Sequence, residues 1–273
     1  MAGNRPWRTD IEHYGMAEAQ RWVVERKQKP ADLKQRIRES GLPVRENYAD
    51  PQQLGEWVLA DLTRIINQLY PEGSEPDPLE HEAGLHEAFA RSRERVYIGG
   101  TKYFSELSTH IQESSQPLVV VGQSGSGKSA LLANWGLKYR KDNPDQLVLL
   151  HFLGATAGST DLFSMLNRLM TKLKHSFDIP EDLPDTAEKL RSAFPNWLYM
   201  ASAQGKAVLI IDGLDQLGEE NGEQELDWLP LELPENVNVL LSTLPCRALE
   251  VIRERDWPML MVEPLTLDER AQL

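Results

Sequence analysis

Apolar residues in the first 70 positions recur at helical spacing. Three segments read as amphipathic helices: Met16 to Gln28 ("MAEAQRWVVERKQ"), Pro30 to Gly41, and Asp50 to Tyr70, where Leu54, Val58, Leu62, Ile65 and Leu69 share one face. Such stripes call for cover by another element. The following stretch, Pro71 to Pro78 ("PEGSEPDP"), has prolines, a glycine and acids and almost nothing to pack, so it reads as a linker. Two more helices are expected next, Leu79 to Val96 and a shorter one after the turn "YIGG". From residue 117 the pattern changes to short β-branched or leucine-rich runs ("PLVVV", "LVLLHFLG", "AVLIID", "NVNVLLST") separated by helical segments beginning near Lys128, Asp161 and Thr186. Strands alternating with helices imply βαβ units and a parallel sheet, and unbroken apolar strands imply burial on both faces. The expected fold class is α/β, a three-layer sandwich with a parallel sheet, preceded by a helical segment. The expected divisions are 1–70 helical, 71–78 linker and 79–273 α/β.

The charge and composition narrow the partners. The chain has 273 residues, with 29 basic side chains against 42 acidic ones and a net charge of −13. A field of that sign repels polyanions, so neither nucleic acid nor an anionic membrane is expected as a partner of the whole chain. The single cysteine, Cys246, cannot form an internal disulfide, which fits a reducing compartment, and the cytoplasm is the expected location. No signal core or spanning run is read in the sequence. The seven tryptophans are scattered and not grouped with basic residues, which points to packing and not to base stacking.

The run Gly122-Gln123-Ser124-Gly125-Ser126-Gly127-Lys128-Ser129 fits GxxxxGK[ST] between a strand and a helix, with Ala130 the next helical residue. Glycines let successive backbone N–H groups turn in on phosphate oxygens, and the helix N-terminus adds its positive end. Lys128 is then placed for the β and γ phosphates and Ser129 for magnesium. A plain strand-to-helix turn explains the glycines but not the lysine and the hydroxyl. An NTPase also needs an acid at the end of a buried strand, and Asp212 closes "AVLIID". It is the candidate second magnesium ligand, with Asp215 the candidate to orient or activate water; a turn acid after a strand is the plainer alternative. Gln216 follows Asp215. An amide can position water but cannot take its proton, so slow turnover is expected.

Together, "GQSGSGKSALL", "LVLLHFLGATAGSTDLFSMLNRLM", "VLIIDGLDQL" and "NVNVLLSTLP" resemble the NACHT-type nucleotide-binding module of the STAND NTPases, of the nephrocystin-3 and telomerase-associated kinds. The likeness spans about residues 80–273, and "YADPQQLGEWVLADLTRIINQLYP" is similar to the last helical segment of the TIR-like domain that precedes it there. The resemblance implies an ATP/ADP switch with magnesium, closed with ADP and opened by ATP. Such a switch couples a repeat array to an effector through protein partners, and it carries a nucleotide-dependent oligomer as a further implication. By the same resemblance Lys128 and Ser129 match the phosphate and magnesium positions, and Asp212 and Asp215 the acidic pair. The polar tip of "NVLLST", Ser242 or Thr243, matches the γ-phosphate sensor. Arg247 is a further candidate phosphate ligand, with an exposed helix charge as its alternative. Gly100 stands where the family carries an arginine. The chain is read as ending before the family's helical and winged-helix regions. A GTPase and a small-molecule kinase share the phosphate loop, but no N-K-x-D guanine motif occurs, which favours adenine. A non-catalytic nucleotide-dependent scaffold is the reading from another class.

Three weaker signals have plain readings. His151 is expected to be satisfied beside the sheet. Ser159, Thr160 and Asp161 are expected to cap the next helix. The acidic run Gly218 to Trp228 is expected to be a solvated loop.

Overall fold

A computed structural model describes residues 29–41, 44–69, 78–94, 101–156, 158–218 and 222–264. The chain divides into two units, Met1–Glu75 and Pro76–Leu273. The predicted helix at Met16–Gln28 and the "YIGG" turn fall outside the described residues, as do all of the 71–78 stretch but Pro78.

In the first unit, residues 29–39 form helix α1 and Pro51–Leu69 form α2. Asp50 starts α2 by accepting the Gln53 N–H at 2.8 Å, which satisfies one of the amides that a helix start leaves free. Arg45 pairs with Asp61 at 2.8 Å and lies over the Trp57 ring, tying the segment before α2 to its side. The predicted apolar stripe is there, but no residue of α2 is buried; Leu62 is 53% and Leu69 67% exposed.

In the second unit, α3 (Pro78–Glu94) and α4 (Thr101–Glu113) precede the sheet. Strand β1 (Leu118–Val121) leads through the glycine-rich loop to α5 (Lys128–Asp142). Then come β2 (Leu147–Phe152), α6 (Leu162–Phe177), α7 (Ala187–Gln204), β3 (Ala207–Asp212), β4 (Val237–Thr243), α8 (Arg247–Glu254) and β5 (Met259–Met261). The sheet order is β2-β3-β4-β1-β5, and every pair is parallel. Strand β5 is an element the apolar pattern did not predict. It has three residues with only the central Leu260 buried, so no alternation could announce it.

Each strand residue points to the face opposite its neighbour's, and this alternation sorts the core into two layers. Val119, Val121, Leu209, Ile211, Val239 and Leu241 join one core with Met165, Leu169, Phe194 and Trp197 from α6 and α7. Leu118, Val120, Val208, Ile210 and Leu240 join the other with Leu107, Leu131 and Trp135 from α4 and α5. A fully buried leucine or valine contributes about 2 kcal/mol, so both layers are substantial. Trp135 Nε1 donates to Ser108 Oγ at 3.1 Å, satisfying the one polar atom that this large ring carries inward.

Asp161 caps α6 by accepting the Ser164 N–H at 2.7 Å. Ser159 instead sits fully buried in the preceding turn. The acidic segment after Gly218 departs from the solvated loop expected of it. Gln224 and Trp228 are buried, and Gln224 donates to the Leu217 carbonyl at 2.8 Å and accepts the Ala248 N–H at 3.3 Å. Glu225 and Asp227 are exposed while one amide and one indole anchor the segment. Among the described residues, no helix is long and apolar enough to cross a membrane.

Candidate functional site

Strand β1 ends at Val121, and the chain must turn at once to enter α5. Gly125 and Gly127 take positive φ angles of 76° and 96°, a backbone region that disfavours side chains. At Gly122 the constraint is space: a Cβ there would lie 2.5 Å from the Val262 carbonyl oxygen. The first bond within α5 runs from Leu131 N to Gly127 O at 2.8 Å. The amides of Lys128, Ser129 and Ala130 precede it and are left for another acceptor. An anion at a helix start is the usual partner for such groups. Ser126 Oγ is buried beside Gly122 with no hydrogen-bond partner among the described residues.

The sheet order carries the remaining groups to this loop. Because β4 lies between β1 and β3, with Val120 opposite Ser242 and Ile211 opposite Leu241, Ser242 sits between the loop and Asp212. Ser242 Oγ donates to Asp212 Oδ1 at 2.5 Å and accepts the Gly213 N–H at 2.9 Å. Ser129 also hydrogen-bonds Asp212. Burial raises the Asp212 carboxyl above its ordinary range; the Ser242 and Ser129 hydrogen bonds, then Arg93 and Lys128, pull it back. Lys128 Nζ donates to the carbonyls of Gly122 and Gln123 at 2.9 and 3.1 Å. Burial lowers its pKa, opposed by Asp212 and Asp215. Each of Lys128 and Asp212 electrostatically favours the charged form of the other against its burial.

Lys128, Ser129, Asp212, Asp215 and Ser242, drawn from distant stretches of sequence, therefore meet at the carboxyl ends of β1, β3 and β4. Asp215 Oδ1 accepts the Leu244 N–H at 3.0 Å, which holds its carboxylate against the exit of β4. Of the two alternatives at the tip of β4, Ser242 belongs to this cluster. Thr243 turns instead to the Leu244 carbonyl at 2.9 Å and to Cys246 Sγ at 3.2 Å. Arg247 is not brought in: its guanidinium grips Glu225 at 2.8 and 3.0 Å and also touches Glu250 and Glu254. Arg93, near the end of α3, is a member the sequence did not reveal; it lies over the Phe89 ring and favours the Asp212 carboxylate electrostatically. Gln216 lies against the loop after β2: a Cβ on Gly154 would be 2.0 Å from its Oε1.

Phosphate and magnesium suit this donor set. The three free amides, the orphaned Ser126 hydroxyl and the Lys128 ammonium match phosphate oxygens. The Ser129 hydroxyl and Asp212 carboxylate are adjacent hard oxygen donors of the kind that hold magnesium through few direct ligands.

His151 is fully buried and satisfied, as expected, but its surroundings are not. Its ring lies tilted against His86 with centroids 4.4 Å apart, and its Nε2 donates to the Ser159 carbonyl at 3.0 Å. Its Nδ1 accepts from Arg168 at 3.3 Å. Burial, reinforced by His86 and Arg168, lowers its pKa to about 3, so the ring is neutral.

Comparison with known proteins places these features in context. The NACHT domain family matches residues 116–273. A TPR repeat-containing protein of Dictyostelium discoideum is 29% identical over 314 aligned residues, covering 90% of this chain and 19% of that protein. Nephrocystin-3 of Homo sapiens is 35% identical over 179 residues, 62% of this chain and 13% of its own length. The Xenopus tropicalis nephrocystin-3 is 30% identical over 249 residues, 81% and 18% respectively. The chain spans between 12% and 21% of the length of these and similar curated relatives. Among solved structures, the Walker-type ATPase of Pyrococcus abyssi is similar with a TM-score of 0.40 and 14% identity, covering 64% of this chain and 56% of that one.

Proposed function

The chain belongs to the NACHT domain family of nucleotide-binding P-loop modules, and from that premise we propose that it is an ATP-binding, slowly hydrolysing STAND-type switch module. The observation that carries this reading is the convergence of Lys128, Ser129, Asp212 and Ser242 on the glycine-rich loop. Gly122 to Gly127 shape the cradle, and the amides of Lys128, Ser129 and Ala130 complete it for the phosphate chain. Lys128 exchanges the Gly122 and Gln123 carbonyls for phosphate oxygens and balances their charge there. Ser129 and Asp212 hold magnesium, which when bound supplies charge neutralisation on the phosphates. Ser242 keeps the Asp212 carboxylate turned toward the loop through the 2.5 Å bond. Asp215 orients water.

Gln216 sets the pace in this reading. Its amide can position water but cannot take its proton, so proton removal is the weak step. The missing guanine motif favours adenine over guanine. In line with the sequence divisions, we read 79–273 as the NTPase domain, 71–78 as a linker and 1–70 as the end of a TIR-like segment. The tetratricopeptide and WD repeats in the names of similar proteins fit a module that passes its nucleotide state to protein partners in the cytoplasm. The net charge of −13 argues against nucleic acid or an anionic membrane among them.

Competition of ATP and GTP for the purified chain tests the base, and ATP is expected to win; tighter GTP binding contradicts the reading. Phosphate release tests the pace. Gln216→Glu is expected to raise turnover about a hundredfold, the lower end of what a positioned base contributes. Equal release from the wild type and Asp212→Ala would make the chain a non-catalytic docking module.

A further inference from the structure

Lys128 is the one cation that the glycine-rich loop supplies, and the charges of Asp212 and Asp215 already act on it. Magnesium cancels only part of a triphosphate's charge, so such a site calls for a second positive group near the terminal phosphate. The exit of β4 does not provide one, because Glu225, Glu250 and Glu254 hold the Arg247 guanidinium. Arg93, in the last turn of α3, is placed to do so.

Backbone and ring contacts fix its position. Asn134 Nδ2 donates to the Arg93 carbonyl at 3.1 Å and to the Ala130 carbonyl at 2.8 Å, so the end of α3 is tied to the first turn of α5, next to Ser129. The Arg93 guanidinium lies 3.2 Å from the centroid of the Phe89 ring. That ring packs on Phe152, with centroids 4.7 Å apart, and Phe152 is the register partner of Asp212. The stack of Phe152, Phe89 and Arg93 therefore rises from the strand ends where Asp212 sits, and Arg93 and Asp212 each favour the charged form of the other. The guanidinium also has bonds to give. Its Nη1 reaches only its own helix, 3.4 Å from the Phe89 carbonyl and 3.2 Å from Ser92 Oγ, at and beyond the long end of hydrogen bonding. Among the described residues nothing hydrogen-bonds its Nε or Nη2 and no carboxylate pairs with it, whereas Arg91 has Glu87. Arg93 is half-buried, and these nitrogens are not closed off from solvent. A partly desolvated guanidinium with an open planar fork suits phosphate oxygens.

We propose that Arg93 is a ligand of the terminal phosphate of a bound nucleoside triphosphate, approaching from α3 while Lys128 holds the phosphate chain from the loop. The proposal rests on the nucleotide reading of this site. The choice of phosphate follows from the neighbour: Arg93 stands by Asp212, the acid at the metal, and in this class of site the metal bridges the last two phosphates, whereas the loop amides serve those nearer the base. Its consequence is specificity. A diphosphate lacks the group that Arg93 grips, so this residue sets the preference for triphosphate over diphosphate.

Equilibrium titration of the whole chain with magnesium and either ADP or a non-hydrolysable ATP analogue tests this, on the wild type, Arg93→Gln, Arg93→Lys and Lys128→Ala. Arg93→Gln is expected to weaken the triphosphate analogue about tenfold, the scale of one charge-assisted hydrogen bond, and to leave ADP within about twofold. Arg93→Lys keeps the charge without the fork, so it should recover part of the loss but not all of it. The Asn134 tie uses the Arg93 backbone and is kept in both variants, and melting curves check that they are folded. Should Arg93→Gln be destabilised, Arg93→Lys, which retains an apolar stem over Phe89, carries the test. Equal weakening of both nucleotides would make Arg93 a support for the loop, and unchanged affinity for both would make it a surface charge; either result overturns the proposal. If Lys128→Ala loses both nucleotides while Arg93→Gln loses neither, the proposal fails and the nucleotide reading stands. A folded wild type that binds neither nucleotide refutes the two together.

Discussion

At the carboxyl ends of β1, β3 and β4, Lys128 and Asp212 are buried as groups of opposite charge. Against the edge strand β2, His86 and His151 are buried beside the Arg168 guanidinium, with Glu82 3.7 Å from His86. Desolvation acts on both clusters, but they meet it differently. Around Asp212, burial raises the pKa, while two serine hydroxyls, Arg93 and Lys128 oppose it. Around His151 the neighbouring His86 and Arg168 add to the burial, and the ring is driven neutral, to about 3, while Arg168 drops to about 10 and stays cationic. One cluster holds charge ready for a ligand, whereas the other sheds charge from its imidazoles and keeps a single guanidinium on the strand edge.

The comparison is most sharply tested by removing the charge that the first cluster maintains. Asp212→Asn should lower turnover on the order of a hundredfold, as expected when a positioned charged group is lost from a catalytic site. The same change should raise the melting temperature of the nucleotide-free chain. Folding lifts this carboxyl above its ordinary 3.8, so the folded state holds the proton more tightly and ionisation costs stability. The variant's advantage over the wild type should therefore be absent below that pH and grow as pH rises through the raised value. Paired calorimetric scans over pH check this, and a destabilised variant at neutral pH would refute it.

Next in size is Gly122→Ala. Its Cβ would meet the Val262 carbonyl at 2.5 Å, a backbone atom that cannot swing aside. A loss of about 1–3 kcal/mol, seen as a melting temperature several degrees lower, is expected together with weaker nucleotide binding.

The effect confined to acid pH, and absent at neutral pH, belongs to the β2 cluster. His151 has a depressed pKa, so its contribution to stability is full above its ordinary 6.5 and is lost progressively as pH falls toward about 3. His151→Gln, which keeps a donor for the Ser159 carbonyl, should flatten the pH dependence of stability over that window. An unchanged slope would mean that His151 is not the group that titrates.

How far each cluster could be read from the sequence follows from its construction. The loop is a contiguous motif, and Asp212 closes an apolar run, so both are visible in one dimension. Ser242 and Thr243 are neighbours at a strand end and both are buried; only the sheet register turns Ser242 toward Asp212 and Thr243 toward Cys246. Arg93 joins the site through the packing of α3, and nothing in "ARSRERV" distinguishes it from a solvated arginine. The β2 cluster was illegible for the same reason: His86 and Phe152 are 66 positions apart and meet only because α3 crosses the strand end. Arg247 shows the opposite case, with its guanidinium held by Glu225, Glu250 and Glu254, in line with the exposed helix charge given as its alternative.

The central claim is that the loop after β1 is a nucleotide site gripped by Lys128. Equilibrium titration of the wild-type chain and Lys128→Ala with ATP and magnesium tests it most directly. Saturable one-to-one binding by the wild type, weakened at least about tenfold in the variant, is the predicted result. Equal affinity in the two proteins, or no saturable binding to a wild-type chain shown to be folded, would contradict it.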